Sequence, residues 1–172
     1  MVENRKNIYL IGMMGTGKSS AGKLVASQLH MDFIDSDNSI EEVTQKSVSE
    51  IFSCYGEKRF REMEAEFIQH GHPSENCIIS CGGGLCMNEG AFEIMRSKGL
   101  IICLSAEPET IYQRVKNDDK RPLLKVKDPI LQIENILSER RNTYHKADLV
   151  IKTDDLQLND IASRIINAAE VK

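Results

Sequence analysis

The sequence predicts an α/β domain built on a mainly parallel sheet. Two observations carry this. Short apolar runs of four or five residues alternate with helix-like stretches from one end of the chain to the other, as in strands joined by crossover helices. The glycine-rich segment Gly12-Met13-Met14-Gly15-Thr16-Gly17-Lys18-Ser19 lies between the first such run and the first helical stretch.

The elements follow in order. Residues 7–11 (NIYLI) are an apolar run closed by Gly12 and read as a buried strand. A helix over 20–28 places Leu24 and Val25 on one face, and 32–35 (DFID) is a second strand. Helices are expected over 38–44 and 48–54, the second opened by the capping box Ser47…Glu50. A longer helix over 57–69 brings Phe60, Met63, Glu64 and Phe67 close to one stripe. Residues 77–80 (CIIS) form a third strand ending in Gly82-Gly83-Gly84.

A helix over 89–97 stops at Gly99, a strand follows over 100–104 and a helix over 108–116. Residues 117–127 (NDDKRPLLKVK) are charged and aperiodic and read as a mobile loop. Asp128 and Pro129 then cap and open a helix to about Tyr144. A fifth strand over 149–152 and a helix over 156–169, with Ile161, Ile165 and Ala168 inward, complete the chain. No repeat or interdomain linker interrupts it, so its 172 residues read as one domain.

Composition excludes several classes. A formal charge of −4 and a pI near 5.6 argue against a general nucleic-acid binder. No apolar run has the length of a membrane span, and the N-terminus lacks a secretory leader pattern, so a cytoplasmic protein is expected. Five cysteines without CxxC spacing read as free, mostly buried thiols rather than a zinc or disulfide site. His70 and His72 flank a loop beside Pro73 with no accompanying ligand set.

The segment from Gly12 to Ser19 fits G-x-x-x-x-G-K-[ST] in its required strand–helix context. Gly12, Gly15 and Gly17 would let backbone wrap phosphate oxygens, and the helix N-terminus would add amide donors. Lys18 would reach the β/γ-phosphates and Ser19 would ligate Mg²⁺. A glycine-rich turn alone explains the glycines but not Lys18-Ser19, and the glycine order lacks the dinucleotide pattern.

A phosphate loop names a nucleotide, not an acceptor. Asp35 and Asp37 flank the end of the second strand, where such sheets build sites; Asp35-Ser36-Asp37-Asn38 is equally good turn and cap chemistry, and spacing leaves both open. Gly82-Gly83-Gly84 suggests a ligand approaching bare amides. Arg61, Arg140 and Arg141 each read alone as surface charges but together could grip a carboxylate, and Arg121, in the charged loop, could swing onto a transferring phosphate.

These pieces together resemble the shikimate kinases. The similarity covers nearly the whole chain through IYLIGMMGTGKSSAGKLVASQL, DFIDSD, SVSEIFSCYGEKRFREMEAEFI, SCGGGLCMN, KRPLL and LSERRNTYHKADLVI. It implies a three-layer fold similar to nucleoside monophosphate kinases, with five parallel strands, a substrate-binding helical segment over about 37–71 and a mobile lid over about 117–127. It implies ATP as co-substrate, held by Gly12, Gly15, Thr16, Gly17, Lys18, Ser19, Ser20, Arg114 and Arg121, with Arg114 along the adenine. Mg²⁺ would sit on Ser19 with Asp35 in its outer shell. Shikimate would meet Asp37, Phe52, Phe60, Arg61, Gly82, Gly83, Gly84 and Arg140, and the catalytic set would be Lys18, Asp37 and Arg121. Cys81 and Asn142-Thr143 depart from the family pattern. The resemblance implies a monomer acting on small molecules, without nucleic acid or membrane. Rival readings are another small-molecule kinase, such as a gluconate kinase, and an idle binding module.

Overall fold

The computed structural model describes residues 5–117 and 126–171. Five strands, β1 (Asn7–Ile11), β2 (Asp32–Asp35), β3 (Cys77–Ser80), β4 (Gly99–Ser105) and β5 (Leu149–Lys152), form one parallel sheet in the order β2-β3-β1-β4-β5. The helices are α1 (Lys18–Leu29), α2 (Ser36–Thr44), α3 (Val48–His70), α4 (Ala91–Lys98), α5 (Pro108–Val115), α6 (Pro129–Tyr144) and α7 (Leu158–Glu170).

The central strands read as continuous apolar runs because both their faces are covered. Tyr9, Ile11, Ile79, Ile101 and Cys103 pack with Phe60, Phe67, Phe92 and Met95 on one side. Ile8, Leu10, Ile78, Ile102 and Leu104 pack with Val25, Ile161 and Ile165 on the other. Helices on both faces make the expected three-layer α/β fold. The chain leaves β1 for β2 on one side of the sheet and later reaches β4 on the other. That change of direction opens a crevice at the carboxyl end of β1, where α/β sheets bind ligands.

Local departures have physical causes. Lys18 and Ser19 already belong to α1, since Gly17 at φ 95° turns the loop directly into the helix. α2 begins at Ser36 because the Asp35 carboxylate caps it, accepting from the amides of Asp37 and Asn38. The expected separation between 48–54 and 57–69 is a kink inside α3 at Gly56, φ 79°. A short 3₁₀ turn at Leu85–Met87 is not expected from the sequence, and α4 starts only at Ala91 because Gly90 before it is left-handed, φ 76°. Gly99 ends α4 in extended backbone and at once begins β4, where a Cβ would collide with the Asn7 carbonyl. Among the described residues, no helix is long and apolar enough to cross a membrane.

Candidate active site

A cavity of about 580 Å³ lies over the carboxyl ends of β1, β2 and β3. Its walls include Lys18, Ser19, Asp35, Asp37, Gly82 and Arg114. The three loop glycines serve different ends. A Cβ on Gly12 (φ 133°) would strike the Leu104 carbonyl, so packing against β4 by itself demands a glycine there. A Cβ on Gly15 (φ 76°) would come 2.8 Å from Val115 Cγ1. Gly17 has open space beside it and is required by its φ of 95°.

No side chain caps the start of α1, which leaves its first amides for an anion at the cavity. Thr16 is buried and donates its hydroxyl to the Met13 carbonyl at 2.8 Å, so it braces the loop and can meet a ligand only through backbone. Ser20 stands on the wall of the cavity. Lys18 Nζ lies back over the loop, donating to the carbonyls of Gly12 at 2.9 Å and Met13 at 3.0 Å.

Asp35 serves both readings that its spacing left open. One oxygen caps α2, and the other accepts from the Ser19 hydroxyl at 2.9 Å. Ser80, paired with Asp35 across the sheet, places its hydroxyl 3.1 Å from that of Ser19. Two hydroxyls and a carboxylate beside a phosphate loop suit Mg²⁺, which takes one or two protein oxygens and completes its shell with phosphate and water. Among the described residues no group of three or more His, Cys, Asp or Glu could hold a metal, so the cysteine and histidine runs form no metal centre. Four cysteines are buried and Cys54 is exposed. His72 instead packs edge-on to Tyr9 and against Phe67, and burial pulls its pKa down.

On the acceptor side each glycine of 82–84 seats a different side chain. A Cβ on Gly82 would run into the Asp37 carboxylate. Gly83 accepts from Arg140 Nη1 at 2.6 Å and from the Tyr144 hydroxyl at 3.4 Å. A Cβ on Gly84 would lie 2.7 Å from Arg61 Cζ. The expectation that all three offer bare amides to a ligand needs correction, because the Gly82 amide donates to Ser36 Oγ at 2.8 Å.

Arg61 is paired with two carboxylates that the sequence did not single out. Its Nη1 donates to Glu64 at 2.8 Å and its Nη2 to Glu57 at 3.0 Å. Glu64 is 1% exposed and also accepts from Asn88 at 3.2 Å. Burial raises the Glu64 pKa, partly offset by Arg61. Burial also pulls on Arg61, but its bonds to Glu64 and Glu57 leave its pKa raised. The signal for Glu64 was a carboxylate inside the apolar stripe, three residues beyond Arg61.

Phe52 and Phe60 stack at 4.9 Å between ring centroids, with Phe60 only 4% exposed. Neither walls the cavity, because Phe60 is turned into the core and Phe52 rests on it. Arg61, Gly84 and Arg140 are likewise outside its walls and adjoin it through the 82–84 loop. Arg114 does reach the cavity, where it binds the Gly15 carbonyl at 3.2 Å and both oxygens of Thr153 at 3.0 and 2.9 Å. Arg121 and most of the expected lid lie outside the described residues.

The chain is similar to known proteins in sequence and in fold. Residues 14–170 match the family described as shikimate kinase. Shikimate kinase of Thermodesulfovibrio yellowstonii is 43% identical over 96% of this chain and 95% of its own. That of Caldanaerobacter subterraneus subsp. tengcongensis is 40% identical over 95% of each chain. The solved shikimate kinase of Acinetobacter baumannii, in complex with shikimate, superposes with a TM-score of 0.91 at 30% identity, covering 97% of this chain and 94% of that one. A gluconokinase from Sinorhizobium meliloti, 16% identical with a TM-score of 0.64 over 96% of this chain and 94% of its own, shares the fold alone.

Proposed function

The chain belongs to the shikimate kinase family, and from that premise we propose how its residues carry the γ-phosphoryl of ATP to a shikimate hydroxyl. It is a phosphotransferase that phosphorylates shikimate; we assign the product as shikimate 3-phosphate. The observation that carries the assignment of residues is the meeting of Asp37, Arg140 and Arg61 on one glycine loop beside the phosphate-loop cavity.

Transfer of a phosphoryl group asks a protein for alignment and charge neutralisation. The amides of 12–17 and the start of α1 receive the ATP phosphates, with Thr16 contributing through backbone and Ser20 from the rim. Lys18 exchanges its two carbonyl partners for phosphate oxygens. Arg114 stacks beside the adenine while holding Thr153. Ser19 and Asp35 are the residues that would hold Mg²⁺, which supplies charge neutralisation across the phosphates when bound.

Arg61 and Arg140 bind the shikimate carboxylate, and Asp37 orients the attacking hydroxyl and accepts its proton. Phe52, exposed and backed by Phe60, meets the ring of shikimate. Arg121, carried by a lid over about 117–127, acts on charge developing in transfer, and closure excludes water. We take residues 1–172 as one domain, with 37–71 as its substrate-binding segment. We take the protein as a monomer acting in the cytoplasm, whose reducing environment keeps the buried thiols free.

Coupled measurement of ADP release tests the proposal. Release should depend on shikimate and stay at background with gluconate or with no acceptor. Turnover with gluconate would favour the rival kinase, and none with any acceptor would favour an idle binding module.

A further inference from the structure

Arg61 is held by two carboxylates of opposite character. Glu64 is 1% exposed, lies 2.8 Å from Nη1 and keeps a second partner in Asn88, so this contact is fixed. Glu57 lies 3.0 Å from Nη2, is 66% exposed and has Arg61 as its ion-pair partner. Gly84 backs onto the guanidinium so closely that no side chain fits there. With Nη1 committed to Glu64, Nη2 is left to turn to a ligand. Glu57 occupies that edge.

We propose that Glu57 is an exchangeable stand-in for the substrate carboxylate: it occupies Arg61 in the empty enzyme and is displaced when shikimate binds. The inference rests on the reading of Arg61 as a carboxylate clamp. Exchange is cheap on both sides. An exposed pair four residues apart on a helix is worth little. Glu57 is the first residue after the Gly56 kink, at the start of a helical segment, where the exposed amides favour a carboxylate even without Arg61. Space beside Gly56 is open, so this end of the segment can shift without collision. Competition from Glu57 lowers the affinity for any carboxylate, and it also keeps Arg61 aimed and discourages capture of stray anions.

Shikimate binding to Glu57→Gln, Glu57→Ala, Arg61→Ala and the double variant Glu57→Gln/Arg61→Ala tests this, by calorimetry at low salt. Glu57→Gln and Glu57→Ala should each tighten shikimate about two- to fivefold, the range of an exposed ion pair. Their ATP affinity should not move. The gain should shrink at high salt and vanish in the Arg61→Ala background. Unchanged or weaker shikimate binding in both Glu57 variants overturns the proposal and makes Glu57 inert or a simple orienting group. Unchanged binding in Arg61→Ala alone would instead show that the clamp itself is misassigned, and the proposal would fall with it.

Discussion

The Arg61 guanidinium lies against Gly84, so close that a single added methyl would collide with Nη1 and sit 2.7 Å from Cζ and 2.8 Å from Nη2. Gly82 leaves the same kind of room for the Asp37 carboxylate, and the Gly83 carbonyl accepts from Arg140 at 2.6 Å. A loop three residues long thus sets the relative positions of the three groups assigned to shikimate.

Arg61 and Arg140 should govern shikimate and spare ATP. Truncating either to Ala removes charge-assisted hydrogen bonds worth ~1.5–3 kcal/mol. The double variant should lose less than the sum, because both groups serve one carboxylate. Steady-state KM values for the two substrates check this; equal weakening of both would point to a structural role.

Lys18→Ala should lower turnover by at least about a hundredfold while the protein stays folded. Its Nζ bonds two loop carbonyls at the cavity and packs in no core cluster. Thermal melting within a few degrees of the parent, together with lost ADP release, is the expected pair of results. Near-normal turnover would remove the phosphate-loop assignment.

The sheet was legible because its signals are local. β3, β5 and α6 begin and end where apolar runs and the Asp128-Pro129 cap put them. The phosphate loop was legible as residue types at fixed spacing, whereas spacing left Asp35 open between site and cap and singled out neither Arg61 nor Arg140, which only the family resemblance supplied. What was not legible depends on contacts between distant parts of the chain. Gly12 is required by the Leu104 carbonyl of β4, and Ser36 takes the Gly82 amide. Glu64 is a core position by periodicity and a ligand of Arg61 by geometry, and periodicity alone shows only the first.

Stability should fall as pH rises above about 9. Burial pushes Cys86 up to about 11 and Cys103 up to about 12, and it holds Cys81 well above the ordinary thiol range. These thiols stay protonated when folded but ionise near 8.5 when unfolded. The unfolded chain therefore releases protons first, and stability present below pH 8.5 is lost between there and the folded values. Each thiol costs about 1.4 kcal/mol per pH unit in that window. Denaturant titrations from pH 7.5 to 10.5 check the slope, which should be shallower in Cys86→Ala.

Arg121→Ala should lower kcat far more than it raises the shikimate KM. A group acting on charge that appears only during transfer affects turnover, whereas one binding an unchanging carboxylate affects both states alike. Comparison with Arg61→Ala under the same conditions separates the two; a matching KM effect would assign Arg121 to ground-state binding.

The most direct test of the glycine-loop account is a double-variant cycle between Gly84→Ala and Arg61→Ala, read as shikimate affinity. Gly84 has φ −105° and ψ −8°, which alanine adopts without strain, so the added methyl acts through Arg61 and not through the backbone. Gly84→Ala should weaken shikimate about tenfold, or ~1.4 kcal/mol, in the parent protein and have little effect once Arg61 is alanine. An equal loss in both backgrounds, or an equal loss for ATP, would contradict it.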